Sequence, residues 1–254
     1  MSGAGGRVRV IGGGRAGASM ATALGQVGWD VVDVLGRHDD PTGAAREVDL
    51  VVIATPDAAI ATVAAAVEPR PQAVVAHLSG VSGLAVFDGL GHPRIGVLHP
   101  LVAMPDPSVG ARRLRGGAWF GVAGDPLIGR VVEDLGGHVV DVAEADWVSY
   151  HAAAVIASNH VVAVLGQAER VAARAGVDFD VYLDLVRTTL DNVIELGPAA
   201  ALTGPAARGD EATLARHLAA LDPDERAGYR AVADLARRLA ADRADTPGPG
   251  PGRP

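Results

Sequence analysis

The first half of the chain alternates short, continuous apolar runs with stretches of helical spacing. Val8 to Ile11, Val31 to Leu35, Leu50 to Ala54, Ala73 to Leu78, Ile95 to Leu98, Ala118 to Val122 and Val139 to Val142 read as strands. Ala16 to Val27 and Ala58 to Val67 read as helices between them. Strands that are apolar throughout, rather than at every second position, are buried on both faces. That is the habit of a parallel sheet flanked by helices. From about Ala145 the pattern changes. Asp146 to Ala175, Phe179 to Leu196, Glu211 to Leu221 and Pro223 to Ala241 all have helical spacing. A break at Gly197-Pro198 and a polar loop from Leu202 to Asp210 separate the later helices. The expectation is an α/β chain: a parallel sheet domain over residues 7–145, then an all-helical domain over 146–243. Residues 244–254, with the repeat Thr246-Pro247-Gly248-Pro249-Gly250-Pro251-Gly252, are expected to be disordered.

Composition narrows the chemistry. The chain has 254 residues, 49% of them hydrophobic, and no Cys. It also contains no Lys, so all 22 Lys-plus-Arg positions are Arg. Thiolate metal sites, Cys nucleophiles, Schiff bases and a Lys general base are thereby excluded, and no metal site is expected. The net charge of −8 argues against a nucleic-acid partner. No run reads as a signal peptide or as long enough to cross a bilayer, so neither membrane nor secretion is expected, and cytoplasmic is the default.

Gly12-Gly13-Gly14-Arg15-Ala16-Gly17 fits the spacing GxGxxG between a strand and a helix, at the very start of an α/β pattern. Gly12 permits the tight turn, Gly14 lets backbone approach a pyrophosphate, and Gly17 lets helix and strand pack closely. This is a Rossmann-type unit for a nicotinamide cofactor. About 20 residues beyond the third glycine, where an NAD site carries an acid, stands Arg37. A guanidinium suits a 2′-phosphate, so NADP is favoured over NAD, with an ordinary surface Arg as the alternative. Three further strand ends carry polar groups: Thr55-Pro56-Asp57 beside the cofactor, Ser79-Gly80 toward the substrate, and His99-Pro100 near the nicotinamide. Each could equally stop a strand or cap a helix.

The whole pattern resembles the Rossmann-like oxidoreductases whose C-terminal half is a helical domain of unknown function. The carriers are the glycine loop, Ala54-Thr55-Pro56-Asp57, His77-Leu78-Ser79-Gly80, Leu98-His99-Pro100-Leu101, Tyr150-His151-Ala152-Ala153, Ser158-Asn159-His160, Leu190-Asp191-Asn192, Leu202-Thr203-Gly204-Pro205 and Arg208-Gly209-Asp210. This group is similar in layout to the 6-phosphogluconate dehydrogenase-like proteins, among them ketopantoate and pyrroline-5-carboxylate reductases. The resemblance implies a cleft between two domains and a homodimer built through the helical domain. Many relatives place a Lys one turn before an Asn on the first long helix. Here Asn159 is present and Val155 stands at the Lys position. On a regular helix the eight residues from His151 to Asn159, at ~100° each, put the two about 80° apart, so both can border one site. The expected roles are His151 or His99 as proton donor and Asn159 as an orienting group. Ser79, Thr203 and Arg208 are expected to contact substrate. Asp191 and Asn192, on an otherwise apolar helix, are expected to need partners. The expected function is an NADP-dependent oxidoreductase that passes a hydride to the carbonyl or imine carbon of a small carboxylate-bearing substrate. A non-catalytic NADP(H) sensor and a prephenate dehydrogenase-like oxidation are the alternatives.

Overall fold

The structure is a computed structural model and describes residues 5–245. Seven strands form one sheet: β1 (Arg7–Ile11), β2 (Asp30–Leu35), β3 (Leu50–Ile53), β4 (Val74–His77), β5 (Ile95–Pro100), β6 (Trp119–Gly124) and β7 (His138–Asp141). Their order across the sheet is β2-β1-β3-β4-β5-β6-β7. The chain runs outward from β1 to β2, then returns to the other side of β1 for β3. That reversal makes the carboxyl ends of β1 and β3 the topological switch point, where open α/β sheets bind ligands.

Both faces of the sheet are covered, as the continuous apolar runs imply. Leu50 and Val52 of β3 join a cluster with Met20, Leu24, Leu114 and Ile128 on one face. Val51 and Ile53 join Ile60, Ala64 and Phe87 on the other. The first cluster packs on helices α1 (Arg15–Gln26), α3 (Pro107–Leu114) and α4 (Pro126–Asp134), and the second on α2 (Ile60–Ala66). Met20 and Leu24 are fully buried, each contributing about 1.5–3 kcal/mol of burial free energy.

Three details depart from the sequence reading. The sheet is not wholly parallel, because β5 and β6 pair antiparallel, with His99 opposite Gly121. The Leu101 amide donates to the Trp119 carbonyl at 2.9 Å. The chain passes through α3 and re-enters the sheet beside β5 in the opposite direction. Second, α3 and α4 were not foreseen. Each opens on an Asp-Pro pair, with Asp106 accepting from the Val109 amide and Asp125 from the Leu127 amide, both at 2.9 Å. Third, β5 extends through His99 and Pro100 instead of stopping at Leu98.

Beyond β7 the chain is helical: α5 (Trp147–Val155), a π-helical turn (Ile156–His160), α6 (Val161–Arg174), α7 (Leu183–Leu196), α8 (Pro198–Ala201), α9 (Glu211–Ala220) and α10 (Pro223–Asp245). The chain divides into two compact units, with the division between Asn159 and His160. Within the helical unit, α6 is tied to the start of α10 by Arg170–Glu225 and Gln167–Glu225, and α9 to α10 by Arg237–Glu211 at 2.7 Å. Between these helices lies a cavity of about 1170 Å³ lined by apolar residues, by the polar Gln167, Thr203, His217 and Tyr229, and by the charged Arg170, Arg174, Asp222 and Glu225. Of the expected disordered tail, residues 244 and 245 end α10, and 246–254 lie outside the described residues. The run Glu144–Arg174 is long and apolar enough, at a mean hydropathy of 1.4, to cross a membrane by length and composition. No such segment is expected from the apolar runs of the sequence. Asp191 and Asn192 are exposed on α7 and so need no protein partner.

Candidate active site

The glycine loop is built by backbone contacts that leave no room for side chains. Gly12 has φ +113°, and a Cβ on it would lie 2.6 Å from the Ala54 carbonyl oxygen. A Cβ on Gly17 would strike the Gly12 carbonyl oxygen and sit 3.0 Å from the Ala54 Cβ. Gly13 and Gly14 are exposed, and nothing lies within 4 Å of a Cβ built on Gly14. Gly14 is the N-cap of α1 and supplies no side-chain cap, and the first turn holds no acid. The free N–H groups of that turn are thus left for an anion.

The surroundings of the loop fit a dinucleotide. The Thr55 hydroxyl is buried at the end of β3 with no hydrogen-bond partner among the described residues, a cost unless a ligand satisfies it. Pro56 and Asp57 follow it on the exposed rim. Asp33 in β2, the nearest acid on that strand, is taken up by Arg9 at 2.5 Å. Asp39 accepts from the Gly36 amide at 2.7 Å and shapes the turn. Arg37 and Arg15 are exposed side chains, and Ala16 is half-buried behind the loop. The positive groups are therefore available at the position where an NAD site would hold its acid.

From the switch point outward, the ends of adjacent strands carry Gly12, Thr55, Ser79 and His99. Val97 pairs with His77 in register, which sets His99 level with Ser79. His77 is fully buried. Its Nδ1 accepts from the Ser79 amide and its Nε2 contacts the Gly83 carbonyl, both at 3.2 Å. An imidazole with one nitrogen accepting and the other donating is neutral, and burial lowers its pKa accordingly. The Ser79 hydroxyl accepts from the Val81 and Ser82 amides at 3.3 and 3.1 Å. Expected as a substrate contact, Ser79 is a buried loop former here. Glu144 closes the same loop from outside by accepting from the Leu84 and Ala85 amides at 3.0 and 3.2 Å.

His99, Tyr150 and His151 form a cluster above Gly80. The Tyr150 hydroxyl is 3.0 Å from His99 Nδ1, and the His99 ring centroid is 5.5 Å from those of Tyr150 and His151. A Cβ on Gly80 would lie 2.5 Å from His99 Nε2 and would strike His151 Nδ1. His151 Nδ1 is buried without a hydrogen-bond partner among the described residues. Burial lowers the His99 pKa to about 4, aided by His151. Trp147, also buried, supports the cluster edge-on through Tyr150, with centroids 5.4 Å apart.

The structure thus brings His99 and His151 together and adds Tyr150, which the sequence reading did not single out. Asn159 lies in the π-helical turn, where the hydrogen bonds run i→i+5. The regular-helix angle between His151 and Asn159 therefore does not apply. Asn159 Oδ1 accepts from the Ser158 hydroxyl at 2.9 Å. Thr203 and Arg208 belong to the helical unit, where Thr203 lines the cavity and Arg208 is exposed.

Residues 121–236 match the family described as domain of unknown function, DUF2520. No curated protein matches the chain. Solved structures are similar over nearly the full length. BF3122 of Bacteroides fragilis, provisionally named an NADP oxidoreductase, superposes with a TM-score of 0.80 at 23% identity, over 92% of this chain and 98% of its own. The reductive aminase of Aspergillus terreus, solved with NADPH and ethyl levulinate, gives 0.70 at 14% identity over 95% and 99%. The pyrroline carboxylate reductase of Plasmodium falciparum, with NADP bound, gives 0.62 at 11% over 93% and 99%. The fold of this chain, a Rossmann-like sheet domain followed by helices, is shared with these structures.

Proposed function

We propose that the chain is an NADP-dependent reductase of a carbonyl or imine carbon in a small carboxylate-bearing substrate. The observation that carries this reading is one edge of one sheet. The glycine loop with its uncapped helix, the partnerless Thr55 hydroxyl and the imidazole pair over Gly80 stand at the ends of neighbouring strands. Strands are about 4.8 Å apart, so three steps put His99 about 14 Å from β1. Gly12, Gly13, Gly14 and the first turn of α1 would hold the pyrophosphate, Thr55 the adjoining sugar or phosphate, and Arg37 the 2′-phosphate. The similar folds that contain NADP or NADPH support the choice of cofactor. The cofactor supplies the hydride when bound. His99 and His151 bind the substrate's reacting oxygen or nitrogen, and one of them provides its proton. The structure carries no Lys for that role.

The helical unit fits a homodimer. Leu183, Leu190 and Ile194 on α7 are 44%, 46% and 83% exposed; at ~100° per residue they fall within about 40° of one another, and an exposed apolar face of that kind is a surface for association. A second copy of the chain is the proposed occupant, and the cytoplasm the proposed location.

The test is NADPH oxidation against 2-oxo acids, including ketopantoate, and against cyclic imines. At least one acceptor should turn over, and His151→Ala and Asn159→Ala should each lower the rate while NADPH still binds. Full activity in both variants would remove these residues from the reaction. Tight NADPH binding with no turnover on any acceptor would favour the redox-sensor reading instead.

A further inference from the structure

The imidazoles over Gly80 are not equivalent, and the difference traces to Tyr150. Its hydroxyl sits against the backbone of β6, where a Cβ on Gly121 would lie 2.5 Å from the phenol oxygen. The phenol hydroxyl has one proton to donate. The acceptor within reach is His99 Nδ1, at 3.0 Å. The reverse assignment, with His99 Nδ1–H donating to Tyr150, would leave the phenol proton without a partner among the described residues in a half-buried site. Buried polar groups avoid that arrangement.

We propose that Tyr150 is a positioning residue that holds His99 in the neutral Nε2–H tautomer, so that His99 serves as a fixed hydrogen-bond donor and not as the source of the proton. This rests on the reductase reading for its substrate, but not for the tautomer itself. With Nδ1 occupied, His99 directs Nε2–H toward the bare face of Gly80. The groups that face the ring are Tyr150 and His151 from α5, His77 from β4 and Asp57 beyond β3. Two of these are imidazoles, and Asp57 stands on the exposed rim. Burial and the imidazoles together oppose a positive charge on His99. The proton gained by the substrate's oxygen or nitrogen then leaves His151, which passes from imidazolium to neutral imidazole. His99 keeps its N–H throughout.

The test is nitrogen NMR of the full chain labelled at histidine, with His99 and His151 signals assigned through His99→Gln and His151→Gln. Wild-type His99 should show a protonated Nε2 and an unprotonated Nδ1, unchanged between pH 5.5 and 8.5. In Tyr150→Phe the Nδ1 donor is gone, and His99 should shift to a mixture of tautomers. Turnover should fall by between about ten- and a hundredfold, through loss of a pre-aimed donor, while the NADPH Kd moves by less than about twofold. A protonated Nδ1 on wild-type His99, an imidazolium signal from His99 within that pH range, or an unchanged His99 tautomer in Tyr150→Phe would overturn the proposal. Should Tyr150→Phe fail to fold, the wild-type spectrum decides alone. Should no acceptor turn over, the reductase reading fails and the spectrum still judges the tautomer.

Discussion

Adding one methyl group at Gly80 is the most direct challenge to the site. Gly80 is buried, and its φ lies outside the left-handed region, so alanine can adopt its backbone without strain. The new Cβ would nevertheless lie 2.5 Å from His99 Nε2 and 2.6 Å from His99 Cε1, and would strike His151 Nδ1. The His99 ring cannot swing away freely, because Tyr150 holds its Nδ1. Overpacking of this kind costs about 1–3 kcal/mol, which at the usual scaling for domains of this size lowers Tm by roughly 2–10 °C. A displacement of about 1 Å at the reacting groups costs about a hundredfold in rate. The glycine loop is at another strand, so the NADPH Kd should stay within about twofold. Gly129→Ala is the control: it sits inside α4 with nothing within 4 Å of a new Cβ, and should be neutral or stabilising by about 0.5–1 kcal/mol. Thermal melts, NADPH fluorescence titration and turnover of the best acceptor measure all three effects. A Gly80→Ala protein with wild-type Tm and wild-type turnover would mean that the two imidazoles do not converge on this point, and the site would have to be sought elsewhere.

Three other outcomes follow from separate parts of the molecule. Arg37→Ala should weaken NADPH about tenfold, the lower range for a charge-assisted hydrogen bond at an exposed side chain, and leave NADH unchanged; equal losses for both cofactors in a titration would remove Arg37 from the 2′-phosphate. Acid should destabilise the fold through His99. Its pKa lies near 4 in the folded chain against an ordinary 6.5, so below pH 6.5 the unfolded chain binds a proton that the folded chain refuses. Stability is then lost as pH falls from 6.5 toward 4 and levels off below that; His99→Gln should flatten the Tm-versus-pH curve in that window, and an unchanged curve would contradict the assignment. Ile194→Asp should shift the chain from dimer to monomer in sedimentation velocity, since an ionised side chain cannot be buried unpaired at an apolar contact; a wild-type dimer would exclude α7 from the interface.

The strands were legible because a parallel sheet buries both faces, and β3 and β4 are buried at every position. The glycine loop was legible because its spacing serves close backbone approach, which the collisions at Gly12 and Gly17 bear out. The antiparallel β6 was not legible, because strand direction depends on the edge to which α3 returns the chain. The Asp-Pro pairs at 106–107 and 125–126 were available signals for α3 and α4 and were passed over in short segments with little periodicity. The π-helical turn at Ile156–His160 leaves no mark on an apolar pattern, so the expected geometry of Asn159 could not be right. Tyr150 stood beside His151 in the sequence, yet its partner His99 is 51 residues away, and only the pairing of β5 with β6 brings Gly121 under its hydroxyl.

Glycine does two kinds of work in this sheet domain, and the distinction is open to experiment. At Gly12 and Gly17 the absent side chain admits another backbone, and the product is a loop for phosphate. At Gly80 and Gly121 it admits the polar head of a side chain, and the product is a set of aimed donors. A methyl group of the first kind should therefore cost cofactor affinity, and one of the second kind should cost geometry at the imidazoles alone. Gly121→Ala is the sharpest case. Its Cβ would meet the Tyr150 oxygen at 2.5 Å and push the hydroxyl off His99 while leaving the phenol in the chain. The His99 tautomer in Gly121→Ala should then match that of Tyr150→Phe, with NADPH binding intact. A wild-type tautomer in Gly121→Ala, in a folded protein, would show that the approach of Tyr150 to β6 does not control His99.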